Sequence, residues 1–301
     1  MSGAAALDEI YSAIEKSARL LDVPCTREKV WPILTAYGEA LSEVAIIFSV
    51  SSGREEFDYT VQVPAGIDDP YAHAVANGFV GETDHPVGAL LPDVQARVSV
   101  NEYFFDCGVV GGFQKLYASF PRNLQPVSKL ADIPSMPRAV TDNAGYFAQH
   151  GLDDVSVIGI DYKRRTMNLY FQLPAAIAGN LDPKLVLSLL QEGGMPEPDE
   201  RMLELALGAY RIYVTFSWDS SRVQRISFSP RPSRGLDLEA IADQLEPETA
   251  EFMRTAPFAY EGERVSISVP KWSADGGHMN LGSYYQVSPQ LAALIASQER
   301  G

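Results

Sequence analysis

Pairs of strand-like runs recur along this 301-residue chain at intervals of about 55 residues, each pair preceded by helical patterning. That recurrence limits the architectures open to it. Leu7, Ile10, Tyr11, Ile14, Ala18 and Leu21 fall at helical spacing, and a second helical pattern covers 26–42, after Pro24 and the capping candidate Thr26. Strand patterns follow at 43–50 and 57–63 around Ser51-Ser52-Gly53-Arg54. The same order returns with helices at 70–80 and 86–97 and strands at 98–106 and 114–120. A third unit has a helical stretch ending at His150-Gly151 and strands at 155–162 and 166–172. A fourth has a helical region at 182–208 and strands at 210–216 and 223–229. The last has a helix at 236–254, strands at 264–269 and 281–287, and a closing helix at 289–299. Ten antiparallel strands interleaved with helices fit an open sheet, two α+β domains, or a closed ring with helices outside. The ring leaves no sheet edge unpaired and needs no linker, and no Pro/Gly/Ser-rich linker divides the chain.

The strands alternate. Met167, Leu169 and Phe171 oppose Asn168 and Tyr170; Ile212, Val214 and Phe216 oppose Arg211, Tyr213 and Thr215; Ile226 and Phe228 oppose Arg225, Ser227 and Ser229. Val265, Ile267 and Val269 oppose Ser266 and Ser268. If the apolar faces meet the helices, the polar faces look into bulk water or into a lumen. These faces are rich in Tyr with isolated cations, Lys115 and Arg225, which suits a partly apolar pocket with an anion-binding end. Asp58, Lys115, Asn168, Tyr213 and Arg225 all fall on polar faces of separate strands and would suit a diphosphate. Scattered surface groups remain the plainer reading of those five.

Composition excludes other classes. With 24 Lys+Arg against 39 Asp+Glu, the net charge of −15 offers no footprint for nucleic acid or an anionic bilayer. Cys25 and Cys107 form no disulfide framework, charges interrupt the first twenty residues, and no apolar run approaches a membrane span, so a cytoplasmic, unanchored protein is expected. His73, His85, His150 and His278 lack metal-ligand spacing, and there is no nucleophile elbow, Walker loop or dinucleotide fingerprint. Asp68-Asp69 and Asp153-Asp154 read as solvated loop charges.

The blocks GGFQKLYASFP (111–121), DIPSMPRAVTDNAGYFAQHGLDDV (132–155), DYKRRTMNLYF (161–171) and LGSYYQVS (281–288) carry a resemblance. The chain resembles, end to end, the soluble aromatic prenyltransferases of the ABBA or PT-barrel type, nearest to bacterial naphthalene and naphthoquinone prenyltransferases. The resemblance implies an α+β fold, a ten-stranded antiparallel PT barrel with an outer ring of helices built from ααββ units, as one domain over 1–301. It implies transfer of a dimethylallyl or geranyl group from its diphosphate to an electron-rich hydroxynaphthalene, polyketide or phenazine carbon, by a monomer. A non-catalytic barrel that binds an aromatic or isoprenoid ligand is the competing reading.

By position, the resemblance makes Asp58 the Mg²⁺-associated acid and Lys115, Asn168, Tyr213 and Arg225 diphosphate contacts, with Arg164 an outer contact; Lys115, Arg225 and Tyr213 carry the catalytic role. Tyr117, Tyr170, Tyr210, Ser229, Ser268 and Tyr284 are expected to line the prenyl and acceptor pocket. Three positions depart from the family pattern: Asn280 stands where a diphosphate-binding lysine is expected, Ser156 where a glutamine is, and Arg211 where a small serine is.

Overall fold

A computed structural model describes residues 3–52, 56–239, 241 and 245–298. Helices α1 (Gly3–Leu20) and α2 (Arg27–Tyr37) precede the hairpin β1 (Ile46–Ser51) and β2 (Phe57–Gln62). The second unit is α3 (Pro70–Ala76), α4 (Pro86–Gln95), β3 (Glu102–Gly108) and β4 (Gly112–Ser119). In the third, the two-residue β5 (Gln125–Pro126) and three short helices, α5 (Val127–Ala131), α6 (Arg138–Asp142) and α7 (Ala144–Gln149), lead into β6 (Asp154–Asp161) and β7 (Thr166–Gln172). The fourth holds α8 (Pro183–Glu192), α9 (Glu200–Leu207), β8 (Arg211–Ser217), β9 (Arg225–Ser229) and the two-residue β10 (Ser233–Arg234). Last come α10 (Pro247–Thr255), β11 (Val265–Ser273), β12 (Gly276–Gln286) and α11 (Pro289–Gln298).

Helix starts are written in the sequence as an acceptor followed by proline. Asp69 before Pro70 and Asp182 before Pro183 each accept a backbone N–H of the first turn at 2.9 Å, and Asp199 accepts from Met202 at 2.7 Å. Each such cap stabilises its helix by about 1 kcal/mol.

The strands pair antiparallel in the order β11-β12-β1-β2-β3-β4-β6-β7-β8-β9, and β9 pairs back onto β11, closing a ten-stranded ring. Closure sorts the side chains. Phe48, Phe105, Phe171, Phe216 and Phe228 point outward into one continuous core shared with the helices. Phe147 of α7 sits 4.9 Å from Phe171 and 5.8 Å from Phe216 between ring centroids, and Tyr37 of α2 stacks on Phe105 at 4.1 Å. Burying each of these rings stabilises the fold by roughly 1.5–3 kcal/mol, which is what fixes the phase of every strand. The alternate residues then have only the lumen to enter. No helix among the described residues is long and apolar enough to cross a membrane.

The closed ring resolves the choice left open by alternation, and the boundaries differ in three places. The pattern at 182–208 is two helices, because Gly193 and Gly194 end α8 before Asp199 caps α9. Of the helix expected at 236–254, only α10 is seen, and positions 240 and 242–244 lie outside the described residues, as do Gly53 and Arg54 of the first turn. The strands expected at 264–269 and 281–287 are longer and form one hairpin, β11 to Ser273 and β12 from Gly276. Pro270 is tolerated there because positions 267–270 have no second strand partner among the described residues.

Candidate active site

One end of the lumen is polar. A cavity of about 150 Å³ is lined there by Asp58, Thr60, Asp106, Lys115, Arg164, Asn168, Tyr213, Arg225, Lys271, His278 and Asn280, among others. Each strand supplies its residue by register: Asp106 pairs with Lys115, Lys115 with Asp161, and Thr215 with Arg225. Thus Asp58, Lys115, Arg164, Asn168, Tyr213, Arg225 and Asn280, widely separated in sequence, surround one space.

Lys115 lies between two carboxylates, with Nζ 3.3 Å from Asp106 Oδ2 and 3.8 Å from Asp161 Oδ2. Burial alone would push the ammonium down, but Asp106, Asp161 and Asp58 outweigh it and hold Lys115 above its usual range, fully charged. Asp58 is different. It makes no ion pair with a described residue; its Oδ1 accepts from Gln114 Nε2 at 3.0 Å. Burial, reinforced by the neighbouring Asp106, pushes its carboxyl up to about 7 against the pull of Lys115. Arg164 is tied to Glu56 at 2.8 Å, while Asn280 Oδ1 accepts from Ser51 at 2.9 Å. Asn168 Oδ1, Arg225 Nε and Thr215 Oγ1 are buried with no hydrogen-bond partner among the described residues. Such atoms are costly unless a polar ligand meets them.

A magnesium ion needs octahedral oxygen ligands, and no cluster of three acidic, His or Cys side chains that could hold a metal occurs among the described residues. One carboxylate, Asp58, in no ion pair with a described residue and facing the cavity, fits the smaller share that protein supplies when the ion travels on a diphosphate.

The other end of the lumen is wider and more apolar. Ile47, Phe104, Val157, Tyr210, Arg211, Pro232, Tyr284 and Leu291 help to line a cavity of about 410 Å³, in the range of small-molecule sites. Thr60, Tyr117 and Tyr170 line both cavities, so the two ends form one chamber. Tyr170 stacks on Tyr213 at 4.5 Å, and Tyr117 meets Tyr170 edge-on at 6.3 Å. Gly159 permits this wall, since a Cβ there would lie 3.0 Å from the Tyr117 ring. Burial raises all three phenols well above physiological pH, so the wall is neutral.

Of the residues expected in the prenyl and acceptor pocket, Tyr117, Tyr170, Tyr210, Arg211 and Tyr284 line this cavity. Ser229 pairs with Arg211 and shares its face. Two serines do not line it. Ser156 is the extra residue of a bulge in β6, where Val155 pairs with Phe171 and Val157 with Tyr170, so Val157 takes the lumenal place. Ser268 pairs with Leu281, which packs into the outer core; in β11 the apolar residues Ile267 and Val269 face inward, opposite Gly282 and Asn280. The rule that apolar faces meet the helices inverts in that strand, because the far end of the lumen is itself apolar.

Sequence reasoning missed Asp106, Asp161, Glu102 and Lys271. Asp106 and Glu102 share the phase of Phe104, so following the alternation of β3 would have found them. Lys271 lay between the expected strands at 264–269 and 281–287. It faces the lumen opposite His278, forms no hydrogen bond or ion pair with a described residue, and holds Nζ 5.8 Å from the Tyr213 ring centroid. Burial, then Arg225 and Lys115, pushes its ammonium well below the usual range.

Comparison with known proteins gives the same reading. The family model described as aromatic prenyltransferase Orf2 matches residues 6–295. The chain is 39% identical to flaviolin linalyltransferase of Streptomyces virginiae, over 95% of this chain and 94% of the relative. It is 36% identical to 5,10-dihydrophenazine-1-carboxylate 9-dimethylallyltransferase of Streptomyces anulatus, over 99% of both. The crystal structure of prenyltransferase PriB in its apo form shares the fold, with a TM-score of 0.56 over 94% of this chain and 98% of that one, at 12% identity.

Proposed function

Because the chain belongs to the Orf2 family of aromatic prenyltransferases, we propose how its two-ended chamber divides the reaction: the polar end holds a prenyl diphosphate, and the wider end holds the aromatic acceptor. The observation that carries this reading is the neutral tyrosine wall shared by both ends, which sets a cation-stabilising surface between a diphosphate cradle and a ring-sized pocket. Relatives named for flaviolin and dihydrophenazine prenylation support a polyketide or phenazine-type acceptor, with a dimethylallyl or geranyl donor. A barrel that merely stored a ligand would need no cluster of cations beside that wall.

Lys115, Arg225 and Lys271 meet the diphosphate oxygens with Asn168 and Tyr213 as neutral partners, and Arg164 holds the cavity rim. As the C1–O bond breaks, both its electrons leave on the diphosphate, and the fixed cations stabilise that growing charge more than they stabilise the bound donor. Asp58 would hold a Mg²⁺ brought in with the donor, and the ion would supply further neutralisation of the leaving group. The faces of Tyr117, Tyr170 and Tyr213 attract the allylic cation. A π pair of the acceptor ring forms the new C–C bond, and the ring proton passes to water. Alignment of two substrates away from bulk solvent supplies much of the rate.

A panel of C5, C10 and C15 donors against dihydroxynaphthalenes, read as diphosphate release and product mass, tests the assignment. Release coupled to a prenylated ring is expected with at least one donor; binding without release would return the chain to the storage reading.

A further inference from the structure

Arg211 opens β8 at the acceptor end of the chamber. Among the described residues its Nε is buried without a hydrogen-bond partner and it makes no ion pair, and its guanidinium lies 5.0 Å from the Tyr210 ring centroid. Arg231 approaches the same ring at 5.5 Å, again with no ion pair to a described residue. Arg211 and the exposed Arg231 thus converge on one tyrosine, neither in an ion pair with a described residue, in a chain whose net charge is −15. A cation facing a chamber pays desolvation that only an anion or strong acceptor offsets.

The diphosphate is not that anion. Arg225 pairs with Thr215, four residues along β8 from Arg211, a separation of about 13 Å at strand rise, and Tyr213 stands between them. Across the chamber, Glu102 is held by Gln62 Nε2 at 2.9 Å and Ser119 Oγ at 3.4 Å, which fixes a negative group on the opposite wall. The pocket therefore has a direction, positive at Arg211 and negative at Glu102.

Building on the prenyl-transfer reading, we propose that the acceptor is an aromatic ring bearing an anionic oxygen group, recognised by Arg211, with a hydroxyl or ring N–H turned toward Glu102. A ring carboxylate would match the planar guanidinium fork bidentately, and an ionised acidic hydroxyl would meet it through one oxygen. Glu102 repels the anionic end and accepts a hydrogen bond from the donor end, so the two residues fix which ring carbon faces the tyrosine wall. Arg211 is in this sense a specificity residue that touches the acceptor and takes no part in ionising the donor.

Matched acceptor pairs test this at saturating donor. A dihydroxynaphthoic acid is compared with its methyl ester, and a polyhydroxylated naphthoquinone whose quinone-ring hydroxyl is acidic with the O-methyl ether of that hydroxyl, each as kcat/KM with wild type, Arg211→Gln and Arg211→Lys. The wild type should prefer the anionic member of at least one pair by tenfold or more; the pair that responds identifies carboxylate or ionised hydroxyl as the group. Arg211→Gln should collapse that preference to within threefold through acceptor KM rather than donor KM, and Arg211→Lys should retain most of it. No preference in either pair, which needs no variant to detect, overturns the proposal, as does a preference that survives in a folded Arg211→Gln protein. Prenylation of neither member of either pair, or of any dihydroxynaphthalene, overturns the prenyl-transfer reading itself.

Discussion

Tyr170 and Tyr213 occupy facing positions on adjacent strands β7 and β8 and stack at 4.5 Å with an interplanar angle of 21°. Tyr170 lines both ends of the chamber, whereas Tyr213 lines only the polar end, so the stack spans the boundary between the proposed diphosphate and acceptor ends, which the allylic cation crosses in the proposed reaction. A desolvated cation over an aromatic face gains up to about 2 kcal/mol, equivalent to roughly 30-fold in rate. Tyr170→Leu should therefore lower kcat by about 10–30-fold with little change in donor KM, while Tyr170→Phe, which keeps the face, should stay within a few-fold of wild type. Equal losses in the two variants would assign the effect to the hydroxyl.

Lys115 has two duties that can be separated. It neutralises Asp106 and Asp161 in the folded chain and is proposed to meet the leaving group. Lys115→Met alone leaves two buried carboxylates without their cation and should destabilise the fold by about 3–5 kcal/mol. Adding Asp106→Asn should recover much of the melting temperature but not the turnover. If turnover returned with stability, Lys115 would be a structural cation only.

Lys271 should behave in the opposite way. It forms no ion pair with a described residue, and burial, then Arg225 and Lys115, disfavour its ammonium more than Asp106 and Asp58 favour it, so Lys271→Met should keep or raise the melting temperature. The same change should weaken pyrophosphate binding by tenfold or more, read by calorimetry. Moving the cation to the neighbouring inward position of β12, by adding Asn280→Lys, should restore part of that affinity, since 271 and 280 are diagonal neighbours on one lumenal face. Unchanged pyrophosphate affinity in Lys271→Met would remove this lysine from the site.

Why the sequence revealed Lys115 and Arg225 but not Lys271 has a physical answer. Alternation is readable where one face is apolar over five or more residues, as in β7 and β8, and there Asn168, Tyr170, Arg211, Tyr213 and Thr215 were read on the face that turns inward. In β11, Pro270 interrupts the pattern, and the apolar residues Ile267 and Val269 face a lumen that is apolar at one end and polar at the other. Period two survives in that strand, but polarity no longer says which face is inside, hence the inversion at Ser268. Ser156 was lost for another reason: a bulge shifts phase by one residue, and no local residue type announces it. Closure of the ring is a long-range property, fixed by the pairing of β9 with β11, and strand patterns alone could not distinguish it from an open sheet. The long shared blocks made up that difference.

Asp58 ties the site to pH. Its carboxyl ionises at about 7 in the folded chain against 3.8 as its ordinary value, because burial and then the Asp106 charge disfavour the anion. Between those values the folded state holds a proton that the unfolded state has released, so stability falls as pH rises through that window and levels off above about 7. Asp58→Asn cannot ionise and escapes this loss. Its melting temperature relative to wild type should climb from pH 5 to pH 7 and then stay constant, and a pH-independent difference would refute the raised ionisation. The same titration sets the proposed metal dependence, since only the ionised carboxylate binds Mg²⁺. Wild-type affinity for magnesium pyrophosphate should strengthen as pH rises through about 7, by more than the ligand's own ionisation produces in Asp58→Ser, and activity of that variant should be most reduced at low Mg²⁺. Turnover of the wild type that is indifferent to chelator would exclude the metal role, and Lys115 and Arg225, with Lys271 where the bound diphosphate favours its ammonium, would then carry the leaving-group charge unaided.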